Sequence, residues 1–462
     1  MSHTLQTLYN RIRGKHISVI GIGVSNTPLI KLLVAGGAVV TARDRSEKAL
    51  DGERGRALAD LGVKTVLGED YLAGMEEDEI IFRTPGLRFD VPALAAARKR
   101  GAVVTSEMEL FFELCPCPIF GVTGSDGKTT TTTLVYEMLS AQGFRCHKGG
   151  NIGAPLLPEI ANIKPTDIAV VELSSFQLHD MHCSPDVAVI TNLSPNHLDY
   201  HTDMQEYIDA KKNIFLHQTP NNRLVYNYDN PVSRDLIARS GREAVPFSIS
   251  GGTDRGVLLR GRVIHYVDGE RDEPVLDVGD IRIPGRHNVE NYMAAIGAVM
   301  DYVDVERIAE VARTFGGVEH RIELVRTLDG VRYYNDSIAS SPTRAMAGLN
   351  SFDTPLILIA GGYDKNLDYA DFGALVNRRV KKLVLVGKSS GKIFDAVVGA
   401  DNYDPDALDI VLCSNFEQAV RTAAAGARRG DVVILSPASA SFDQFRNFAE
   451  RGEAFRRIVS GL

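Results

Sequence analysis

Ile119-Phe-Gly-Val-Thr-Gly-Ser-Asp-Gly-Lys-Thr-Thr-Thr131 is the stretch whose reading decides the fold. Its first five residues read as a buried strand. Gly124-Ser-Asp-Gly127 reads as a tight loop and Lys128 as the start of a helix. Backbone N–H groups of such a loop converge on phosphate oxygens, because Gly124 and Gly127 tolerate positive φ. Lys128 would then reach the outer phosphates and the Thr129 hydroxyl a magnesium ion. The strict phosphate-loop spacing asks for one more glycine, at the position held by Val122. A bare strand–loop–helix turn that happens to contain lysine is the competing reading.

Working outward, two further strand ends carry polar residues. Glu172 closes the apolar run Ile168-Ala-Val-Val171, and a carboxylate there can coordinate magnesium. Taken alone it would be a solvated strand-end Glu; beside a phosphate loop the metal role is favoured. His197 follows the strand Val187-Ala-Val-Ile-Thr191, at the sheet edge where ligands of open α/β sheets gather. Taken alone it would be a satisfied structural histidine.

Three stretches alternate short apolar runs with helical patterns, the signature of parallel α/β sheets. The expected fold is α/β in three domains. Residues 1–114 form a Rossmann-like domain with strands at His16–Gly21, Ala38–Ala42 and Glu79–Arg83. Residues 115–316 form a central P-loop-type ATPase domain, with an antiparallel side sheet between about Arg223 and Pro284. Residues 317–462 form a second Rossmann-like domain with strands at Val331–Tyr334, Leu356–Ala360, Lys382–Val386 and Val432–Ser436. Cys115-Pro-Cys-Pro118 reads as a stiff linker, since proline fixes φ.

At 462 residues the chain is too long for one core. Its formal net charge of -8 argues against a general nucleic-acid binder but leaves room for one cationic pocket. No apolar run approaches the roughly 20 residues that cross a bilayer, and no signal peptide is expected. The 5 scattered cysteines fit a reduced, cytoplasmic chain with free thiols. Gly21-Ile-Gly-Val-Ser-Asn26, with Asp44 downstream, is a partial dinucleotide fingerprint whose third glycine is Asn26.

Together these motifs resemble the Mur ligase family. The resemblance rests on Thr123–Thr130, Gly149-Gly-Asn-Ile-Gly153, Glu172-Leu-Ser-Ser-Phe-Gln-Leu178, Asn196-His-Leu-Asp199, Pro284–Asn291, Glu319-His-Arg321 and Asn335-Asp-Ser337, in that order. The ending Leu435–Phe445, with Asn447-Phe448 and Arg451-Gly452, resembles the D-glutamate-adding members. It implies an ATP-dependent amide ligase that joins D-glutamate to UDP-N-acetylmuramoyl-L-alanine through an acyl phosphate. One domain would hold the UDP-sugar, one ATP and one the amino acid. It further implies that Gly124, Gly127, Lys128, Thr129 and Thr130 bind ATP, with Asn288 and Asn291 on adenine, Arg321 on phosphate and Asp336 on ribose. Thr129, Thr130 and Glu172 would serve a first magnesium and His197 a second. Lys211 falls where the family carries a carbamylated lysine, although Lys212 is adjacent and the two point to different helix sides. Ser25, Asp44, Arg45 and Gly86 would surround the UDP diphosphate, with Asn151 and Ser174 also on substrate. Ser340, Lys365, Ser441 and Phe448 would take D-glutamate. The expected state is a cytoplasmic monomer with small-molecule partners only.

The chain departs from the family at two points. Asp336-Ser-Ile-Ala-Ser-Ser341 has Ile338 where many members have lysine, and Arg344 is the candidate replacement cation. Asn196 stands where an acidic residue is common before the histidine. Three alternatives stay open: a sister amide ligase, a non-catalytic nucleotide binder, and a dehydrogenase built on Gly21-Ile-Gly23.

Overall fold

Three sheets, one after another along the chain, carry three α/β domains in a computed structural model that describes residues 5–51, 53–197 and 200–462. Leu198 and Asp199 of the Asn196–Asp199 motif lie outside the described residues. By contacts the chain falls into two compact units. Residues 1–278 and 290–311 form the first; residues 279–289 and 312–462 form the second.

The first sheet contains β1 (His16–Ile20), β2 (Val39–Asp44), β3 (Lys64–Leu67), β4 (Ile80–Phe82) and β5 (Val103–Thr105). All are parallel, in the order β3-β2-β1-β4-β5. The order reverses between β1 and β4, so the crevice at their carboxyl ends is the expected ligand position. Alternation along β1 sends Ile17 and Val19 to one core and Ile20 to the other, with Ile81 beside it.

The second sheet has nine strands: β6 (Ile119–Thr123), β7 (Cys146–Gly150), β8 (Ile168–Glu172), β9 (Val187–Ile190), β10 (Arg223–Asn227), β11 (Val245–Ser248), β12 (Gly256–Arg260), β13 (Val263–Asp268) and β14 (Arg271–Asp277). Their order is β14-β13-β12-β11-β10-β9-β6-β8-β7. This corrects the expected antiparallel side sheet. The strands after Arg223 continue the central sheet; β10, β11 and β12 pair parallel, and only the β12–β13 and β13–β14 pairings are antiparallel, so β13 alone runs against the sheet. The helix Pro231–Ser240 supplies the crossover that a parallel β10–β11 pair requires. One apolar core runs continuously from Leu8 beneath the first sheet to Ala244 in the second domain.

The third sheet, in the second unit, contains β15 (Glu323–Leu328), β16 (Val331–Asn335), β17 (Leu356–Ala360), β18 (Val380–Val386), β19 (Asp409–Cys413) and β20 (Val432–Leu435). Its order is β15-β16-β20-β17-β18-β19, parallel except for β15. Leu356 and Leu358 face one core while Ile357 and Ile359 face the other, so both faces are covered by helices. Among the described residues no helix is long and apolar enough to cross a membrane.

Candidate active site

The adjacent carboxyl ends of β9, β6 and β8 bring the central site together. Val122 pairs with Glu172 and Thr123 with Ile190, which sets the loop after β6 between Glu172 and Thr191. Gly124 has φ +150° and Gly127 φ +77°. A Cβ at Gly124 would overlap Thr191 Oγ1, and one at Gly127 would overlap Asn291 Oδ1. Glycine is therefore required twice, for backbone conformation and for close approach. The loop is tied down on one side. Ser125 N donates to Asn192 O at 2.9 Å, Asp126 N to Asn192 Oδ1 at 2.9 Å, and Thr191 Oγ1 to Asp126 O at 2.5 Å. On the other side begins the helix Lys128–Ala141, whose leading N–H groups have no intrahelical acceptor.

Glu172 is 2% exposed, and its two oxygens are shared out. Thr129 Oγ1 donates to Oε2 at 2.7 Å and Asn151 Nδ2 to Oε1 at 2.8 Å. Thr130 is buried beside them. Two lysines converge on one carbonyl. Lys128 Nζ donates to Gly124 O at 2.9 Å and to Ser125 O at 2.8 Å. Lys211 Nζ donates to Gly124 O at 2.8 Å and to Thr123 Oγ1 at 3.1 Å, over the Tyr207 ring. Lys211 is 1% exposed. Burial holds its amine well below the usual lysine range, and the Lys128 ammonium pushes the same way. Lys212 on the same helix is half-buried, so the structure separates the two neighbouring lysines. His197 is exposed, at the left-handed φ of +55°, with its ring 4.9 Å from Phe176. The Ser174 hydroxyl is taken up by a capping box with Gln177, accepting from its backbone and donating to Oε1 at 2.9 Å.

At the first sheet, Gly21 (φ +92°) abuts Thr84, which joins the loop after β1 to Thr84-Pro-Gly86. Asn26 explains the broken glycine pattern: Nδ2 donates to the Ile20 and Gly21 carbonyls, both at 3.0 Å, and braces the loop from below. Asp44 accepts from Ile22 N at 2.7 Å and Ser46 N at 2.8 Å, so it organises the turn. Ser25, Arg45 and Gly86 are exposed around it.

In the second unit, loops following β16, β20 and β17 lie side by side. Asp336 is 3% exposed and accepts from Ser436 Oγ at 2.8 Å and Ile322 N at 3.3 Å. Burial raises its carboxyl to about 7; Arg321 and Arg344 pull the other way. His320 and Ile322, flanking Arg321, both have positive φ, at 62° and 45°. Ser340 Oγ donates to Ile338 O at 3.3 Å. Buried Arg451 braces two of the loops, donating to Ser337 O and Ser337 Oγ, and to the Ser439 and Ala440 carbonyls, within 3.2 Å. Tyr363 N donates to Ala440 O at 2.8 Å, which aligns the Gly361–Lys365 loop with Ser441. Lys365 Nζ lies 5.5 Å from the Phe442 ring, and Phe448 lies 6.1 Å from His320. Asn288 Nδ2 donates to Pro284 O at 2.5 Å.

Residues 122–299 match the pattern of the Mur ligase middle domain and residues 320–439 that of the Mur ligase glutamate ligase domain. A UDP-N-acetylmuramoylalanine–D-glutamate ligase of Acetivibrio thermocellus is 50% identical, with 100% of both chains covered. The chain belongs to the Mur ligase family. A second ligase of the same description, from Ruminiclostridium cellulolyticum, is 47% identical, again over 100% of both chains. Among solved structures, a UDP-N-acetylmuramate–alanine ligase of Thermotoga maritima shares the fold with a TM-score of 0.58 at 18% identity, covering 97% of this chain and 100% of that one.

Within this Mur ligase, Gly124, Gly127, Lys128, Thr129, Thr130, Asn151, Glu172, Lys211 and Asn291 form one cluster around the loop after β6. Ser25, Asp44, Arg45 and Gly86 gather at the first switch point, and Arg321, Asp336, Ser340, Lys365, Ser441 and Phe448 at the third sheet's carboxyl edge. Sequence reasoning missed Asn26 and Arg451 as braces, and it missed Arg43. The Arg43 guanidinium, 2% exposed, donates to Ser18 Oγ and to the carbonyls of Tyr71, Ala73 and Gly74. An arginine within the strand Val39-Val-Thr-Ala-Arg-Asp44, after two valines and an alanine, was the available signal.

Proposed function

We propose that this Mur ligase couples ATP cleavage to amide formation between UDP-N-acetylmuramoyl-L-alanine and D-glutamate. The observation that carries the reading is the Thr129–Glu172–Asn151 network facing Lys128 and Lys211 across the loop at Gly124, in a chain half identical over its whole length to a ligase of that description.

A carboxylate is a poor acyl donor, so the terminal alanine carboxylate first attacks the outer phosphate of ATP and ADP leaves. The D-glutamate amine then attacks the acyl carbon and phosphate leaves. Both steps bring anions together, so cations and positioning lower the barrier. Lys128 leaves the Gly124 and Ser125 carbonyls for nucleotide phosphates, which the first helical N–H groups also hold. The Thr129 hydroxyl and Glu172 carboxylate are hard oxygen donors 2.7 Å apart and fit a magnesium ion. That ion, when bound, offsets phosphate charge. Lys211 fits carbamylation by CO2, with loss of a proton, because burial disfavours its ammonium form, and the carbamate would add anionic oxygens beside Gly124. His197 would serve a second cation; an imidazole is a weak magnesium ligand, so its contribution would be smaller than that of Glu172.

The loop after β1 cradles the UDP diphosphate, with Ser25, Asp44 and Arg45 nearby and Gly86 on the far side, and Asn151 and Ser174 are also on substrate. Asn288 and Asn291 take adenine, Arg321 phosphate and Asp336 ribose. Ser340, Lys365, Ser441 and Phe448 take D-glutamate, whose two carboxylates need cation and hydroxyl donors. The three domains correspond to residues 1–114, 115–316 and 317–462, and the enzyme works as a cytoplasmic monomer.

The test is phosphate release from ATP with UDP-N-acetylmuramoyl-L-alanine, with and without D-glutamate. Release that requires both and prefers D-glutamate over L-glutamate, L-lysine and glycine is expected. Release preferring another amino acid would move the chain to a sister activity, and no release would leave a nucleotide binder.

A further inference from the structure

Beside the ATP loop, but using none of its ligands, stands a group of side chains the reaction does not employ. His179 follows the short helix Ser175–Leu178, His201 lies one turn past His197, and Glu206 sits in the first turn of the helix Met204–Leu216. One ligand atom from each, all within 4.8 Å of one another, marks out a common point. Nε2 of His179 is 3.4 Å from Glu206 Oε1, and Nδ1 of His201 is 3.7 Å from Glu206 Oε2. The imidazoles are 5% and 0% exposed and the carboxylate 19%. Nδ1 of His201, the nitrogen that faces Glu206, makes no hydrogen bond among the described residues, whereas on His179 it is Nε2 that faces the carboxylate. A buried imidazole nitrogen without a partner is costly unless something fills the gap.

We infer that His179, His201 and Glu206 form a separate cation site, selective for a zinc-class divalent ion over magnesium. Two imidazole nitrogens and one carboxylate are the donor set of three-ligand zinc sites with an open position. His201 Nε2 lies 3.0 Å from Ser175 Oγ; in the tautomer that donates there, the Nδ1 lone pair faces Glu206. Arg88 donates to both oxygens of Glu206, at 2.8 and 3.2 Å, and Thr202 N to Oε2 at 2.6 Å, which holds the carboxylate towards the two rings. A bound ion would fasten the start of the helix that carries Lys211 to the end of the segment that carries Glu172.

The full chain, stripped with a chelator and returned to excess magnesium, would be titrated with Co²⁺ as a coloured stand-in for zinc. One Co²⁺ per chain with the visible absorption of a four-coordinate site, bleached by one equivalent of Zn²⁺, is expected. His179→Gln and His201→Gln should each weaken binding at least about tenfold. His197→Ala, which alters only the proposed magnesium side, should keep it. Absence of the band in excess magnesium would overturn the site, as would a band unchanged in both Gln variants whose circular dichroism is native.

Discussion

Lys211 is the residue whose burial carries the most chemical meaning. A lysine amine inside a protein is destabilised as an ammonium and becomes available as a neutral nucleophile. Lys211→Ala should lower ligase turnover at least about a hundredfold, the cost of removing one preorganised electrostatic group, and short carboxylates should restore part of it. Full activity without them would refute its role. Sequence alone left Lys211 and Lys212 adjacent candidates; helix direction separates them, because only one side of Met204–Leu216 faces the loop. Asp336 yields a pH prediction. Its carboxyl, ordinarily at 3.8, is raised to about 7 by burial. Between those values the folded state keeps a proton the unfolded state has lost. The contribution to stability is therefore full below 3.8 and is lost as pH rises through about 7. Ligand-free Asp336→Asn should lack this component, a slope of up to about 1.4 kcal/mol per pH unit in denaturant titrations. Arg344 favours the charged form of Asp336, two residues before Ile338, and remains the candidate for the cation that the family pattern carries at Ile338. Arg344→Ala should slow turnover about tenfold or more, the loss expected for one charge-stabilising contact. Unaltered steady-state kinetics would exclude it.

The elements were legible in proportion to their burial. Strands with apolar runs, such as β6, β8, β17 and β20, stand where periodicity puts them. The strands that escaped are β3, β5, β7, β15 and β19: β3 and β5 are short, β7 reads Cys-His-Lys-Gly-Gly, β15 carries Glu323 and Arg326, and β19 is exposed at both Asp409 and Leu412. All five lie at sheet edges, where one side of the strand has no neighbour and side chains are free to be polar. The side-sheet error has a similar root. β10 to β12 are short and turn-rich, which mimics hairpins, and composition cannot reveal that crossovers keep them parallel. The loop after β6 was read correctly because it combines glycine, lysine and threonine at a strand end, a local pattern that needs no tertiary knowledge. Gly124→Ala tests that element. The added Cβ meets Thr191, and φ near +150° is costly for alanine, by about 1–3 kcal/mol. Both thermal stability and nucleotide affinity should fall. Thr191→Ala in the same chain should relieve the overlap but not the backbone strain, so recovery should be partial.

At the scale of the whole chain, the candidate substrate groups fall on different compact units. Ser25, Asp44, Arg45 and Gly86 belong to the first, whereas Ser340, Lys365, Ser441 and Phe448 belong to the second. Sequence order foreshadowed three domains but not that the first two share one core, since the joining contacts run between Leu29, Ile30 and Leu33 and the distant Leu156, Leu157 and Ile160. A ligand that binds only the native form adds RT ln(1 + [L]/Kd) to the stability of what it binds, about 2.7 kcal/mol at a hundredfold excess over Kd. Hydrogen exchange, read peptide by peptide on the intact chain, should therefore separate the ligands. UDP-N-acetylmuramoyl-L-alanine should slow exchange at the carboxyl ends of β1, β2 and β4, and, through the shared core, in residues 156–163. D-glutamate at saturating concentration should slow it in residues 336–341, 361–365 and 437–448. Because a peptide exchanges through the opening of its own cooperative unit, protection by D-glutamate confined to residues 16–105 would show that the amino acid enters the first unit instead. That result would take Lys365 and Ser441 out of the substrate site, while leaving the phosphate loop, which is fixed by Gly124, Thr129 and Glu172, unaffected.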